Sequence, residues 1–121
     1  MIIELACHFP NPENPWEKNY TLNGKELTPQ KSQQVSNHSP DGFNHGYGGS
    51  GPAQLALAIC LELFNQTAAV RLYQQFKWEH IATIGHDGTN EAQHEDFTVL
   101  LDVSKYVALA DAPFQSGPDP E

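Results

Sequence analysis

One junction constrains this chain more than any other. The glycine-rich run Asn37-His38-Ser39-Pro40-Asp41-Gly42-Phe43-Asn44-His45-Gly46-Tyr47-Gly48-Gly49-Ser50-Gly51-Pro52 passes without a break into Ala53-Gln54-Leu55-Ala56-Leu57-Ala58-Ile59-Cys60-Leu61-Glu62-Leu63-Phe64. The second half predicts a helix over about 52–64 that is apolar on nearly every side, and such a helix must be enclosed by other elements. Gly46, Gly48, Gly49 and Gly51 permit positive φ and close approach, Pro52 suits the first helical position, and Gly51 is the expected N-cap. The first-turn N–H groups and the positive end of the helix dipole then face the loop, which suits an anion or a carbonyl oxygen.

The flanking segments predict an α+β fold. An apolar, partly alternating strand over Met1 to Phe9 gives way to Pro10-Asn11-Pro12-Glu13-Asn14-Pro15, which cannot continue a ladder. Trp16 is expected to anchor that loop to the body. Asn23-Gly24 between two short β-prone runs, within Tyr20 to Leu27, specifies a type I′ hairpin. The polar segment 30–36 reads as a connector with a short strand near Val35. A second, amphipathic helix is expected over about 68–82 with Thr67 as N-cap, then a polar loop, a strand at 97–101, and a short helix begun by Asp102 or Ser104. The prediction is a small antiparallel sheet packed against two main helices, forming one compact domain over 1–112, with a flexible acidic tail at 113–121.

Charge limits the partners. Fifteen acids against six bases give a formal net charge of -9, and eight of the acids but one base, Lys105, lie from Asp87 onward. Phosphate neutralisation over a broad surface needs clustered Lys and Arg, so extended nucleic-acid binding is disfavoured. The acidic third, with Glu95, Asp96 and Asp102, could instead meet a basic protein partner by imitating nucleic acid. The first residues lack a secretory pattern, and no run reaches the roughly 20 apolar residues of a membrane span, so the expected compartment is the cytoplasm. Cys7 and Cys60 are expected to be reduced, and the oligomeric state is left open.

The glycine loop ends in no Gly-Lys-Ser/Thr and follows no dinucleotide fingerprint, so neither phosphate-binding motif applies. Its expected use is to hold an anionic or nucleotide-like ligand on the N–H groups of residues 49–54. The candidate ligand residues are Asn37, His38, Asp41, His45, Tyr47, Gly48, Gly49, Ser50, Gly51 and Gln54, with His45 or Tyr47 stacking on a ring. Lys77 could meet an anion and Trp78 provide a platform; packing of both is the competing reading. Six histidines are loosely spaced, so neither a metal site nor a cofactor is implied. No catalytic triad is evident; His38 with Asp41 is the one pair that would support a hydrolase as an alternative to a binding module.

The run from Asn37 to Phe43, then Gly46-Tyr47-Gly48-Gly49-Ser50-Gly51-Pro52-Ala53-Gln54-Leu55-Ala56-Leu57-Ala58-Ile59, then Tyr73-Gln74-Gln75-Phe76-Lys77-Trp78-Glu79, resembles an uncharacterised family of small domains found in bacteria, plasmids and phages. The resemblance covers about Tyr20 to Ala82 and implies a shared fold and a mobile-element setting, without an established activity. Here His45 stands where tryptophan is usual, and the first eighteen residues and the acidic tail look like additions. In that setting, capture of a host signal, or inhibition of a host defence complex through the acidic third, would be the use.

Overall fold

The structure is a computed structural model and describes residues 1–85 and 95–111. The acidic tail at 113–121, and His86 and His94 of the polar loop, lie outside the described residues.

Four strands form one antiparallel sheet in the order β3-β2-β1-β4: β1 (Ile2–His8), β2 (Asn19–Leu22), β3 (Lys25–Leu27) and β4 (Phe97–Asp102). Alternation along β1 turns Ile3, Leu5 and Cys7 into the core and leaves Ile2, Glu4 and His8 outside. Leu5 pairs with Leu22 on one side and Val99 on the other, so the buried rows of three strands are in register. Asn23 and Gly24, at φ 52° and 81°, form the expected I′ turn.

The helices are α1 (Gln30–Val35), α2 (Ser50–Leu63), α3 (Gln66–Phe76) and α4 (Ser104–Asp111). Helix α2 is the hub: every residue from Gly51 to Cys60 is buried. Enclosing Leu55, Leu57 and Ile59 alone stabilises the fold by about 6 kcal/mol at roughly 2 kcal/mol each, before the entropy of ordering is set against it. The α+β prediction therefore holds: the two main helices and the short helix after β4 are present, and α1 is added to them. Among the described residues no helix is long and apolar enough to cross a membrane.

Several local expectations are corrected. Segment 30–35 is a helix, not a connector with a strand near Val35: the Pro29 C=O accepts from both the Gln33 N–H at 2.9 Å and Ser32 Oγ at 2.8 Å, and this nucleates the turn. The N-cap of α2 is Gly49, whose C=O takes the first intrahelical bond from Ala53 at 3.1 Å; Pro52 thus sits in the third helical position. Asn65, not Thr67, caps α3, because its Oδ1 accepts from the Ala68 N–H at 2.9 Å. Val70, an apolar residue of the expected second helix, is exposed. So is Trp16, at 81%, which overturns its assignment as an anchor. Helix α4 starts at Ser104, one of the two residues expected to begin it, after the Val103 C=O takes the first intrahelical bond from Val107 at 3.0 Å; Asp102, the last residue of β4, accepts from the N–H and Oγ of Ser104.

The second helix is irregular at its end. After Phe76 the chain makes a π-helical turn over Lys77–Ile81, closed by the Ala82 N–H on the Lys77 C=O at 2.8 Å. One residue more per turn is accommodated there, a feature common at functional sites. The Ile81 carbonyl accepts from the Gly46 N–H at 3.0 Å, which ties the glycine loop to this turn.

Candidate functional site

Of the loop glycines, only Gly42 and Gly46 take positive φ, at 108° and 85°. Gly48, Gly49 and Gly51 are needed for space instead. A Cβ at Gly48 would stand 2.2 Å from Cη2 of Trp78, and one at Gly49 would stand 2.5 Å from Cε2 of Tyr47. At Gly51 it would meet the Asn44 Cβ at 2.6 Å and the Asn44 N at 3.1 Å. Two aromatic rings therefore sit directly on the loop backbone, and the loop folds back over the first turn of α2.

Lys77 and Trp78 face the loop from the π-turn. Lys77 is only 6% exposed; its Nζ donates to the Gly48 C=O at 3.2 Å and lies 4.2 Å from the Trp78 ring centre. No carboxylate lies within ion-pair distance of Nζ among the described residues. A cation–π contact and one carbonyl only partly offset the several kcal/mol that desolvating an ammonium costs. Trp78 itself remains 59% exposed, with its ring against Gly48 and the Lys77 amine.

No side chain caps α2. The Ala53 N–H is used inside the helix and Pro52 has none, so the amides expected over residues 49–54 narrow to those of the Gly49–Gly51 turn. Ser50 is exposed and Gly51 buried; Gly51, Asn44 and Tyr47 border a cleft of about 210 Å³ shared with Ser39, Asp41 and Lys18. Tyr47 is 44% exposed, and its Oη accepts from Asn44 Nδ2 at 3.3 Å.

Gln54 is fully buried and its amide is filled by the protein. Its Oε1 accepts from the N–H groups of His38 (2.8 Å) and Ser39 (3.0 Å), while Nε2 donates to Ser32 Oγ (2.9 Å) and the Ser36 C=O (3.1 Å). It joins α1 and the loop to α2. His45 is also interior: Nδ1 meets the Tyr20 hydroxyl at 2.6 Å and its ring packs edge-on against Phe97 at 4.8 Å. That geometry places it behind the loop, away from any stacking ligand. His38 Nε2 lies 2.6 Å from the Tyr73 hydroxyl and 3.2 Å from Ser36 Oγ. Among the described residues no hydrogen bond or ion pair joins His38 to Asp41, which is exposed at the cleft; Asn37 is exposed but does not line it.

On the acidic side, Asp96 accepts from the Phe9 N–H at 2.7 Å and pairs with His8 at 2.6 Å, which together hold its carboxyl below the usual range. The Ser104 hydroxyl and N–H do the same for Asp102. Glu95 is exposed. All three are on the surface, but two of them spend oxygens on their own chain. Among the described residues no cluster of His, Cys, Asp and Glu is arranged to hold a metal.

Six cleft residues are not among the candidates drawn from the sequence: Trp16, Lys18, Ser39, Gly42, Phe43 and Asn44. A signal for the first two does exist, since a short stretch of prolines and asparagines delivers Trp16 and Lys18 directly to the start of the hairpin. Residues 16–103 match DUF6166, a family of unknown function. The chain belongs to this family. No curated protein and no solved structure matches it. The DUF6166 span is wider than the motif-bearing stretch: it begins at Trp16, takes in the whole cleft and runs through β4. Trp16, Lys18 and β4 thus belong to the family domain and are not additions to it.

Proposed function

We propose that this DUF6166 chain is a small-ligand binding module, which holds an anionic or nucleotide-like molecule where the glycine loop enters α2. One observation carries the reading: Lys77, 6% exposed, sets its amine against the Gly48 carbonyl and the Trp78 ring with no carboxylate beside it among the described residues. In a chain of net charge -9 an acidic partner would be easy to supply. The result is a positive site, reinforced by the uncapped first turn of α2, that an anion would complete. Trp78 and Tyr47, each laid on a glycine and each partly open, offer faces to a ring. Binding without turnover fits best, because His38 is committed to Tyr73 and Ser36. In a mobile-element setting such a module would sequester a nucleotide signal in the host cytoplasm.

Calorimetric titration with inorganic phosphate, pyrophosphate and a panel of nucleotides tests the reading. Binding is expected in the wild type, weakened at least tenfold in Lys77→Met, which keeps the buried stem but removes the charge. A panel in which every member gives no heat and no thermal shift would remove the proposal.

A further inference from the structure

Beyond the Lys77 site, we propose that the neighbouring cleft beside Gly51, whose lining does not include Lys77 or Trp78, takes a mononucleotide with a guanine-like base, clamped by Trp16 and Tyr47, with Asp41 on the base and Lys18 on the phosphate.

Trp16 supplies the first argument. An indole 81% exposed forgoes most of the burial that usually fixes a tryptophan. A lone exposed side chain on a loose loop would mean little. This one stands on a fixed backbone: its N–H donates to Asn14 Oδ1 at 3.2 Å, the Glu17 N–H to the Asn14 C=O at 3.2 Å, and the Asn14 N–H to the Asn11 C=O at 3.0 Å. Two successive turns, stiffened by Pro10, Pro12 and Pro15, hold the backbone that carries this uncovered ring at the rim of the cleft that Tyr47 borders from the loop. An open aromatic on a fixed backbone is suited to stacking, since only its two side-chain torsions are ordered on contact.

Charge supplies the second. Lys18 is half-buried, its Nζ donates to the Pro15 C=O at 3.1 Å, and among the described residues it has no carboxylate within ion-pair distance. Burial lowers its pKa, as for an ammonium short of counter-charge. Asp41 lines the same cleft with an exposed carboxylate that no described residue engages. A bare anion would meet both charges and gain little. A ligand with a negative group and a separate pair of N–H donors satisfies both, and guanine presents two adjacent N–H groups to a carboxylate where adenine presents one.

Size supplies the third. At about 210 Å³ the cleft falls below the roughly 300–1,000 Å³ of drug-sized sites. It takes one base with its near substituents, and a dinucleotide would overfill it.

The test is calorimetry of the full chain with GMP, AMP and ribose 5-phosphate. GMP is expected to bind at least tenfold more tightly than AMP, and ribose 5-phosphate more weakly than either. Trp16→Ala should weaken GMP by about 5- to 140-fold, the loss of one stacked base, without changing the melting temperature, because the ring is already in solvent. Asp41→Asn should erase the preference for GMP over AMP, and Lys18→Gln should weaken both nucleotides alike. If GMP and ribose 5-phosphate bind equally and Trp16→Ala changes nothing while Lys77→Met still abolishes binding, this inference is overturned and the anion-binding reading survives. If none of the three probes binds, and phosphate and pyrophosphate also fail, both fall.

Discussion

Gln54 allows the sharpest test of how the site is built. Replacing it by Leu keeps the volume and the apolar setting of α2 but removes four hydrogen bonds, to His38 N, Ser39 N, Ser32 Oγ and Ser36 O. A net intramolecular hydrogen bond contributes about 1 kcal/mol, and more when the abandoned partner stays buried. Ser32 is buried, whereas the other three partners are part-buried and can recruit water in the variant. The loss should therefore be about 3–4 kcal/mol, a large share of the roughly 5–15 kcal/mol that holds such a domain together. At about 4 °C per kcal/mol for a chain of this size, the melting temperature should fall by about 12–16 °C in calorimetry or circular dichroism. Gln54→Glu should be no better, since a carboxylate cannot donate to Ser36 or Ser32 and would be buried as a charge. A fall of less than about 4 °C in Gln54→Leu would refute the claim that this amide is the fastener between α1, the loop and α2. It would also restore Gln54 as a group with capacity to spare for a ligand.

Other outcomes rest on the same geometry. Gly48→Ala should displace the exposed Trp78 ring, since its Cβ would lie 2.2 Å from the indole; the expected result is a stability loss under about 1 kcal/mol, a changed tryptophan emission and at least tenfold weaker ligand binding by titration. Glu79 is held down to about 2 by Lys105 and then Tyr106. With its folded pKa depressed, it adds stability above the unfolded value of about 4.3 and loses it as pH falls toward 2, so Glu79→Gln should flatten the acid limb of the urea midpoint between those limits. Burial pushes the thiols of Cys7 and Cys60 up to about 12; at pH 8 iodoacetamide should label neither in the folded protein, and labelling should appear only at the rate of unfolding.

Local chemistry decides which parts of this fold are legible in the sequence. Asn23-Gly24 specifies its turn almost alone, and an unbroken apolar run such as Leu55 to Leu61 has only enclosure as an outcome. Segment 30–35 is not legible in the same way, because Gln-Lys-Ser-Gln-Gln has no periodic apolar signal; its helix depends on the Pro29 carbonyl and on Gln54, 22 residues beyond Ser32. The π-turn leaves no mark in the sequence, since Lys77-Trp78-Glu79-His80-Ile81 would satisfy an ordinary helix. Its extra residue is selected by the Gly46 and Gly48 contacts. Polar side chains in a glycine loop suggest recognition, yet His45 and Gln54 both point inward, where the loop needs fasteners. Trp16 departs in the opposite direction: composition alone places the indole in the core, and only the two asparagine-held turns reveal that it projects.

The π-turn also restricts how this helix can vary. Deleting one residue from 77–81 would restore regular winding and leave the residues after it nearly in phase, because the turn already absorbs one residue too many. Deleting one from the regular turns of α3, Gln66–Phe76, would instead rotate everything after it by roughly 100°, carrying the Ile81 carbonyl away from Gly46. The first deletion should leave the loop fastened and the second should release it.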